Sequence, residues 1–303
     1  VSAAPVLKRS PSSRTASRLR KAKLRTSAAS MQKGIVMAVT DFILKNNGNI
    51  LYLDQHVDHQ ESEFFMRVQW DLAGFNIPAE KIGDYFTTLV AKPSKLKFEI
   101  YFSNTKQRVA IFVSNLSHCI YDILSRARSG EWDIEVPLII SNHEKLRHIG
   151  EEFNIPYYCL PITPENKLDQ EAKIKKLLQE NNIDLIILAR YMQVVSDSFI
   201  KDYTNRIINI HHSFLPAFPG AKPYESAYAR GVKLIGATSH YVTPELDAGP
   251  IIAQGVTQVS HKDTVENMKR KGLDLEKIVL SKAIWSHIQH KTLVYNNKTI
   301  VFE

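Results

Sequence analysis

A chain of 303 residues is long enough for two domains with separate cores. At 44% hydrophobic and 23% charged residues it has an ordinary globular composition, and no apolar run approaches the roughly 20 residues that span a bilayer. The net charge of +8 is local: residues 1–40 carry nine Lys or Arg and no acid, while the rest holds 30 basic against 31 acidic side chains. The body is therefore neutral and gives no basis for a nucleic-acid surface. Two isolated cysteines, Cys119 and Cys159, form neither a disulfide framework nor a zinc spacing, which points to a reducing compartment.

Residues 1–30 are rich in Arg, Ser and Ala, lack acids and have no long apolar core. That is the composition of an organelle transit peptide, or otherwise of a basic tail with no address. It predicts a mitochondrial protein, cytoplasmic if the leader is silent, whose residues 1–30 are dispensable for catalysis. Residues 31–102 read as a small α+β unit. Helical spacing runs from Lys33 to Lys45, strands follow at 50–56 and 63–70, then a helix near 79–91 and a strand at 97–102. The order is αββαβ, because Lys23 to Ser30 reads as a poor strand.

From Arg108 the pattern becomes βαβα. Apolar runs at 109–113, 136–140, 157–160, 185–188 and 207–210 alternate with helical patterns at 120–126, 144–152 and 170–181. Continuous apolar strands between helices imply a parallel sheet covered on both faces, a Rossmann-like α/β domain over 108–303. Residues 235–242, a long helix near 265–289 and a strand at 292–301 complete it. Ligands of such sheets lie beyond the carboxyl ends of the strands, where His118, Arg190, Asn209 and His211 fall.

The run Ile207-Ile208-Asn209-Ile210-His211-His212-Ser213-Phe214-Leu215-Pro216 ends a buried strand on polar residues. Asn209 and His211 alternate and so share a side. Asn offers a fixed amide donor and His a tunable proton carrier, while Asp247, in Glu245-Leu246-Asp247-Ala248-Gly249-Pro250, could orient a water or hold an imidazole. Each also has a bland reading: Asn209 and Asp247 as turn formers, His211 and His240 as satisfied core residues.

Together with Gly236 to Val242, Ser117-His118-Cys119, Leu188 to Met192, Gly220 to Tyr224, Glu266 to Gly272 and Val294 to Val301, these runs resemble the folate-dependent formyl-transfer fold. Within it they are most similar to the formyltetrahydrofolate deformylases, over nearly all of residues 31–303. The resemblance implies an N-terminal ACT-type domain, here read as lacking its first strand before Gln32-Lys33-Gly34. It also implies an Asn-His-Asp triad at Asn209, His211 and Asp247, with His240 auxiliary. The folate pocket would fall on Arg190, Tyr191, Met192, Gln193 and Val195, backbone groups pairing with the pterin edge and apolar side chains covering its face.

The reaction so implied is hydrolysis of 10-formyltetrahydrofolate to tetrahydrofolate and formate. The folate is substrate, no cofactor is implied, and no His, Asp and Cys set has metal spacing. A homo-oligomer without membrane insertion is expected. Two alternatives remain. One is formyl transfer to an amine, as in glycinamide-ribonucleotide transformylase, which cradles its acceptor's phosphate in a Gly-rich loop. The corresponding Ser114-Asn115-Leu116-Ser117-His118-Cys119 has no glycine to let N–H groups approach. The other is a non-catalytic folate-binding regulator.

Overall fold

The computed structural model describes residues 21–28, 33–216 and 223–303. Residues 1–20 of the expected leader, Met31 and Gln32 at the start of the expected small unit, and Gly220 to Lys222 of one quoted motif lie outside the described residues. The chain divides into two compact units, residues 1–104 and 105–303.

The first unit runs β1 (Lys21–Ala28), α1 (Ile35–Lys45), β2 (Asn49–Asp58), β3 (Glu63–Asp71), α2 (Ile82–Phe86) and β4 (Lys97–Phe102). Its sheet has the order β2-β3-β1-β4. The strand that seemed missing is therefore present and central, antiparallel to both β3 and β4, with Leu24 opposite Val68 on one side and Ile100 on the other. Period two explains it. Ala22, Leu24, Thr26 and Ala28 are buried on one face, while Arg25 on the other bonds Glu99 Oε2 at 2.5 Å and the Tyr101 hydroxyl. Small apolar residues alternating with cations have a leader's composition, and composition hid the alternation. The unit thus begins before residue 31, and residues 21–28 are not part of a removable leader. With β1 in place the order is βαββαβ, consistent with an ACT-like domain. Its core gathers Leu24, Val39, Phe42, Met66, Trp70 and Phe86 between the helices and the sheet.

The second unit runs β5 (Gln107–Val113), α3 (His118–Ser129), β6 (Ile134–Ser141), α4 (Arg147–Phe153), β7 (Tyr157–Cys159), α5 (Lys167–Glu180), β8 (Leu185–Leu188), α6 (Asp197–Asp202), β9 (Ile207–His211), α7 (Pro223–Arg230), β10 (Leu234–Tyr241), β11 (Ile251–Gln258), α8 (Val265–Ile288), β12 (Thr292–Tyr295) and β13 (Lys298–Val301). The seven-stranded sheet has the order β11-β10-β9-β8-β5-β6-β7. From β7 to β9 it is parallel as expected, and β10 and β11 add an antiparallel edge. Alternate residues of β5 feed opposite cores. Val109, Ile111 and Val113 meet α3 and α8, while Ala110 and Phe112 meet α5 and α6. The expected single strand at 292–301 is a hairpin, because Asn296 and Asn297 both take positive φ and turn the chain.

Strand order reverses between β5 and β8, which opens a crevice beyond their carboxyl ends. The loops after β5 and β8 and the end of β9 converge there.

Candidate active site

The site is set by strand register. Asn209 and His211 are the third and fifth residues of β9, and antiparallel pairing with β10 puts His240 opposite Asn209 and Thr238 opposite His211. The Asn209 amide nitrogen lies 3.3 Å from His240 Nε2, and His240 Nδ1 lies 2.9 Å from the Tyr241 carbonyl. An N–H at Nδ1 donating to that carbonyl leaves Nε2 as an acceptor, so His240 takes one Asn209 amide hydrogen and orients the other.

Asp247 enters from the loop after β10. The loop is pinned by Tyr241 N–H donating to the Pro250 carbonyl at 2.9 Å and by Asn297 Nδ2 donating to the Ala248 carbonyl at 2.8 Å. Gly249 is required by close approach, since a Cβ there would lie 1.7 Å from the Tyr241 carbonyl oxygen. Asp247 itself takes φ 54°, a left-handed conformation that Asp and Asn tolerate better than most residues.

Its carboxylate then sits 3.2 Å from His211 Nδ1 and 3.7 Å from His240 Nε2. The first is within hydrogen-bond reach; the second is electrostatic contact only. His211 foremost holds the Asp247 carboxyl well below the usual carboxylate range, against the opposing pull of burial. His211 Nε2 is buried and has no hydrogen-bond partner among the described residues. A polar atom so placed is costly unless a ligand meets it. All four residues expected from the sequence, Asn209, His211, His240 and Asp247, thus meet in one place.

The expected folate segment divides. Arg190 follows β8 at φ 64°. Tyr191 and Val195 are buried, Tyr191 edge-on to Phe112 with its hydroxyl pushed up by desolvation, so their side chains belong to the core. Met192 is 61% exposed and Gln193 half-buried. The Met192 N–H donates to Ser114 Oγ at 3.0 Å, and Ser114 donates to Asn142 Oδ1 at 2.6 Å, tying the segment to the loops after β5 and β6.

The Arg190 guanidinium meets partners within the protein. Nη1 donates to His212 Nδ1 at 2.6 Å, and Nε lies 3.6 Å from Glu276 on α8. Glu276 is fully buried and also meets His118 Nε2 at 2.7 Å and the Tyr224 hydroxyl at 3.3 Å. Burial pushes its carboxyl up, but His118 and Arg190 outweigh that and hold it below the usual range. Desolvation and the Arg190 charge push His212 down to about 4, so it is neutral at pH 7. The His118, Cys119 and Glu276 donors lie within 4.8 Å of one another, but the first and last are bonded to each other, and burial pushes the Cys119 thiol far up. Sequence reading reached His118 and Arg190 but missed Glu276 and Tyr224. Glu276 sits among Leu275, Val279 and Leu280 of a buried helix face, and a carboxylate at such a position was the available signal.

A Rossmann-like sheet with an Asn, two His and an Asp at one strand end defines a formyl-transferase-fold enzyme, and the formyl transferase family model matches residues 107–284. The formyltetrahydrofolate deformylase of Synechocystis is 49% identical over 271 residues, covering 89% of this chain and 95% of that protein. The crystal structure of a formyltetrahydrofolate deformylase from Pseudomonas syringae superposes with a TM-score of 0.91 at 42% identity, covering 94% of this chain and 95% of that one. A glycinamide ribonucleotide transformylase from Symbiobacterium toebii reaches a TM-score of 0.62 at 29% identity, covering 67% of this chain and 97% of its own. The chain belongs to the formyltetrahydrofolate deformylase family.

Proposed function

We infer that this protein hydrolyses 10-formyltetrahydrofolate to tetrahydrofolate and formate, with Asp247, His211 and Asn209 as its catalytic residues. The observation that carries the roles is the pairing of an ionised Asp247 with His211, whose Nε2 is buried without a partner among the described residues. Water adds to the formyl carbon. Asn209, through the amide hydrogen His240 leaves over, and His211, as imidazolium, donate to the oxyanion; each such donor is worth roughly 3 kcal/mol. Asp247 holds the water. Its depressed pKa makes it a poor resting place for the proton, so it passes the proton on, and N10 receives it as the C–N bond breaks. Formate and the secondary amine are the products. Arg190 to Val195 lay backbone groups along the pterin edge.

Formyl transfer to a phosphorylated amine needs N–H groups after β5 that can cradle a phosphate. Here that loop has no glycine, the Ser114 hydroxyl is committed to Asn142, and His118 turns inward to Glu276. Purified protein given 10-formyltetrahydrofolate and glycinamide ribonucleotide should release free formate. Formylated nucleotide as the main product would overturn the reading, and no formate at all would favour a non-catalytic regulator.

We propose further that residues 1–20, with five Lys or Arg and no acid, address the protein to mitochondria.

A further inference from the structure

We propose that Glu276 is a positioning residue for the folate-binding turn. From α8 it fixes the Arg190 side chain, and through Arg190 both the backbone where that turn begins and the His212 ring beside His211. The proposal rests on the reading that Arg190 to Val195 carry the folate.

Three observations converge on it. Arg190 is not glycine, yet it takes φ 64°, and such a conformation persists only where its surroundings over-determine it. The backbone is held on the far side by the Met192 N–H bond to Ser114. On the near side the restraint is the Arg190 side chain, 12% exposed, against a Glu276 side chain that is 1% exposed. A buried carboxylate is tolerated only with partners, and Glu276 draws them from separate elements: His118 from α3, Tyr224 from α7 and Arg190 from beyond β8.

The packing is built around this meeting. Gly272 lies one turn before Glu276, and a Cβ there would fall 1.9 Å from the Tyr224 hydroxyl. Glycine at that position admits the tyrosine to the carboxylate. Beyond Arg190, the His212 ring lies 5.1 Å from the His211 ring at 30° and 6.1 Å from Tyr224. The Nη1 bond to Nδ1 gives His212 a fixed acceptor and so a fixed tautomer. One carboxylate thereby ties the folate segment to the wall behind His211. Its contacts are with His118, Tyr224 and Arg190 rather than with Asn209, His211 or Asp247, so it acts on how the substrate is held.

Glu276→Gln alone would leave the Arg190 cation buried without its counter-charge, and loss of folding would blur the result. The deciding variant is therefore the neutral pair, Glu276→Gln with Arg190→Gln, assayed for formate release from 10-formyltetrahydrofolate beside the wild type and checked by thermal unfolding. The neutral pair should unfold like the wild type. It should raise KM at least about tenfold and change kcat by less than about threefold, as loss of substrate positioning without loss of the water-activating groups requires. A KM within about twofold of wild type would show the ion pair dispensable for binding and overturn the proposal. So would a neutral pair that does not fold, or a fall in kcat at unchanged KM, since these assign Glu276 to folding or to chemistry. Wild-type protein that releases no formate would instead sink the functional reading itself.

Discussion

Replacing Asp247 with Asn separates a catalytic carboxylate from a turn former more cleanly than any other change in the site. Asp247 adopts φ 54°, and Asn is at least as comfortable there, so the loop that Gly249 and Pro250 pin to β10 should survive. What is lost is the charge. The carboxylate sits 3.2 Å from His211 Nδ1 and 3.7 Å from His240 Nε2, and His211 foremost holds it ionised. An amide can offer an oxygen to His211, but it cannot balance an imidazolium or accept a proton from water. Loss of a positioned base removes about 10²–10⁴-fold in rate. The lower bound alone corresponds to about 2.7 kcal/mol of transition-state stabilisation. We expect kcat for formate release to fall at least about 10²-fold, with KM moving far less because the proposed pterin contacts lie elsewhere, at Met192 to Val195. An Asp247→Asn protein with normal unfolding and more than about a tenth of wild-type kcat would refute the catalytic role.

Leu24→Ala should cost about 2–5 kcal/mol of first-unit stability in urea unfolding, because Leu24 is fully buried on the central strand; a cost under about 1 kcal/mol would contradict β1 as placed, on the same cavity arithmetic. For the same reason, deleting residues 1–30 should abolish a folded first unit, whereas deleting 1–20 should spare it. The His212 imidazole, followed by NMR, should stay neutral until the pH nears about 4, and Arg190→Gln should raise its midpoint. Its folded pKa lies below the ordinary 6.5, so its contribution to stability is whole above that pH and fades as pH falls towards about 4. Residues 1–20 fused to a fluorescent reporter should carry it to mitochondria, and a cytosolic reporter would end that claim.

What the sequence made legible divides by physical cause. Parallel strands buried on both faces write themselves as apolar runs, so β5, β6, β8 and β9 were placed from residues alone. Asn209 and His211 were legible as a pair because strand alternation puts them on one side. Their junction with His240 depends on antiparallel register, and that with Asp247 on a loop held by Gly249. Neither is a local property; the family resemblance supplied them. Strand β1 was lost because a strand with one polar face needs only alternate apolar residues, and Ala22, Leu24 and Ala28 are few. Strand β11 went unread for a similar reason: only Ile252 and Ala253 bury well, and Gly255 breaks the pattern where Val279 and Leu275 approach. Glu276 could not be assigned, since its partners come from elements as much as 158 residues away.

The distribution of charge in the site argues that one particular imidazole carries the working proton. Asp247 and Glu276 are both held ionised, and Arg190 offsets one of them. His212 is excluded from offsetting the other, because Arg190 donates to its Nδ1 and lowers its affinity for a second proton. His240 is excluded by its bonds: Nδ1 gives its hydrogen to the Tyr241 carbonyl, and Nε2 accepts from Asn209. His118 is committed to Glu276. That leaves His211, which faces Asp247 through Nδ1 and turns an unpartnered Nε2 away from it. A proton there neutralises Asp247 at short range and makes Nε2 the donor that a tetrahedral oxyanion requires. Replacing His211 with Gln should therefore lower kcat for formate release at least about 10²-fold, the loss expected for one oxyanion donor, and a variant within about threefold of wild type would refute the assignment.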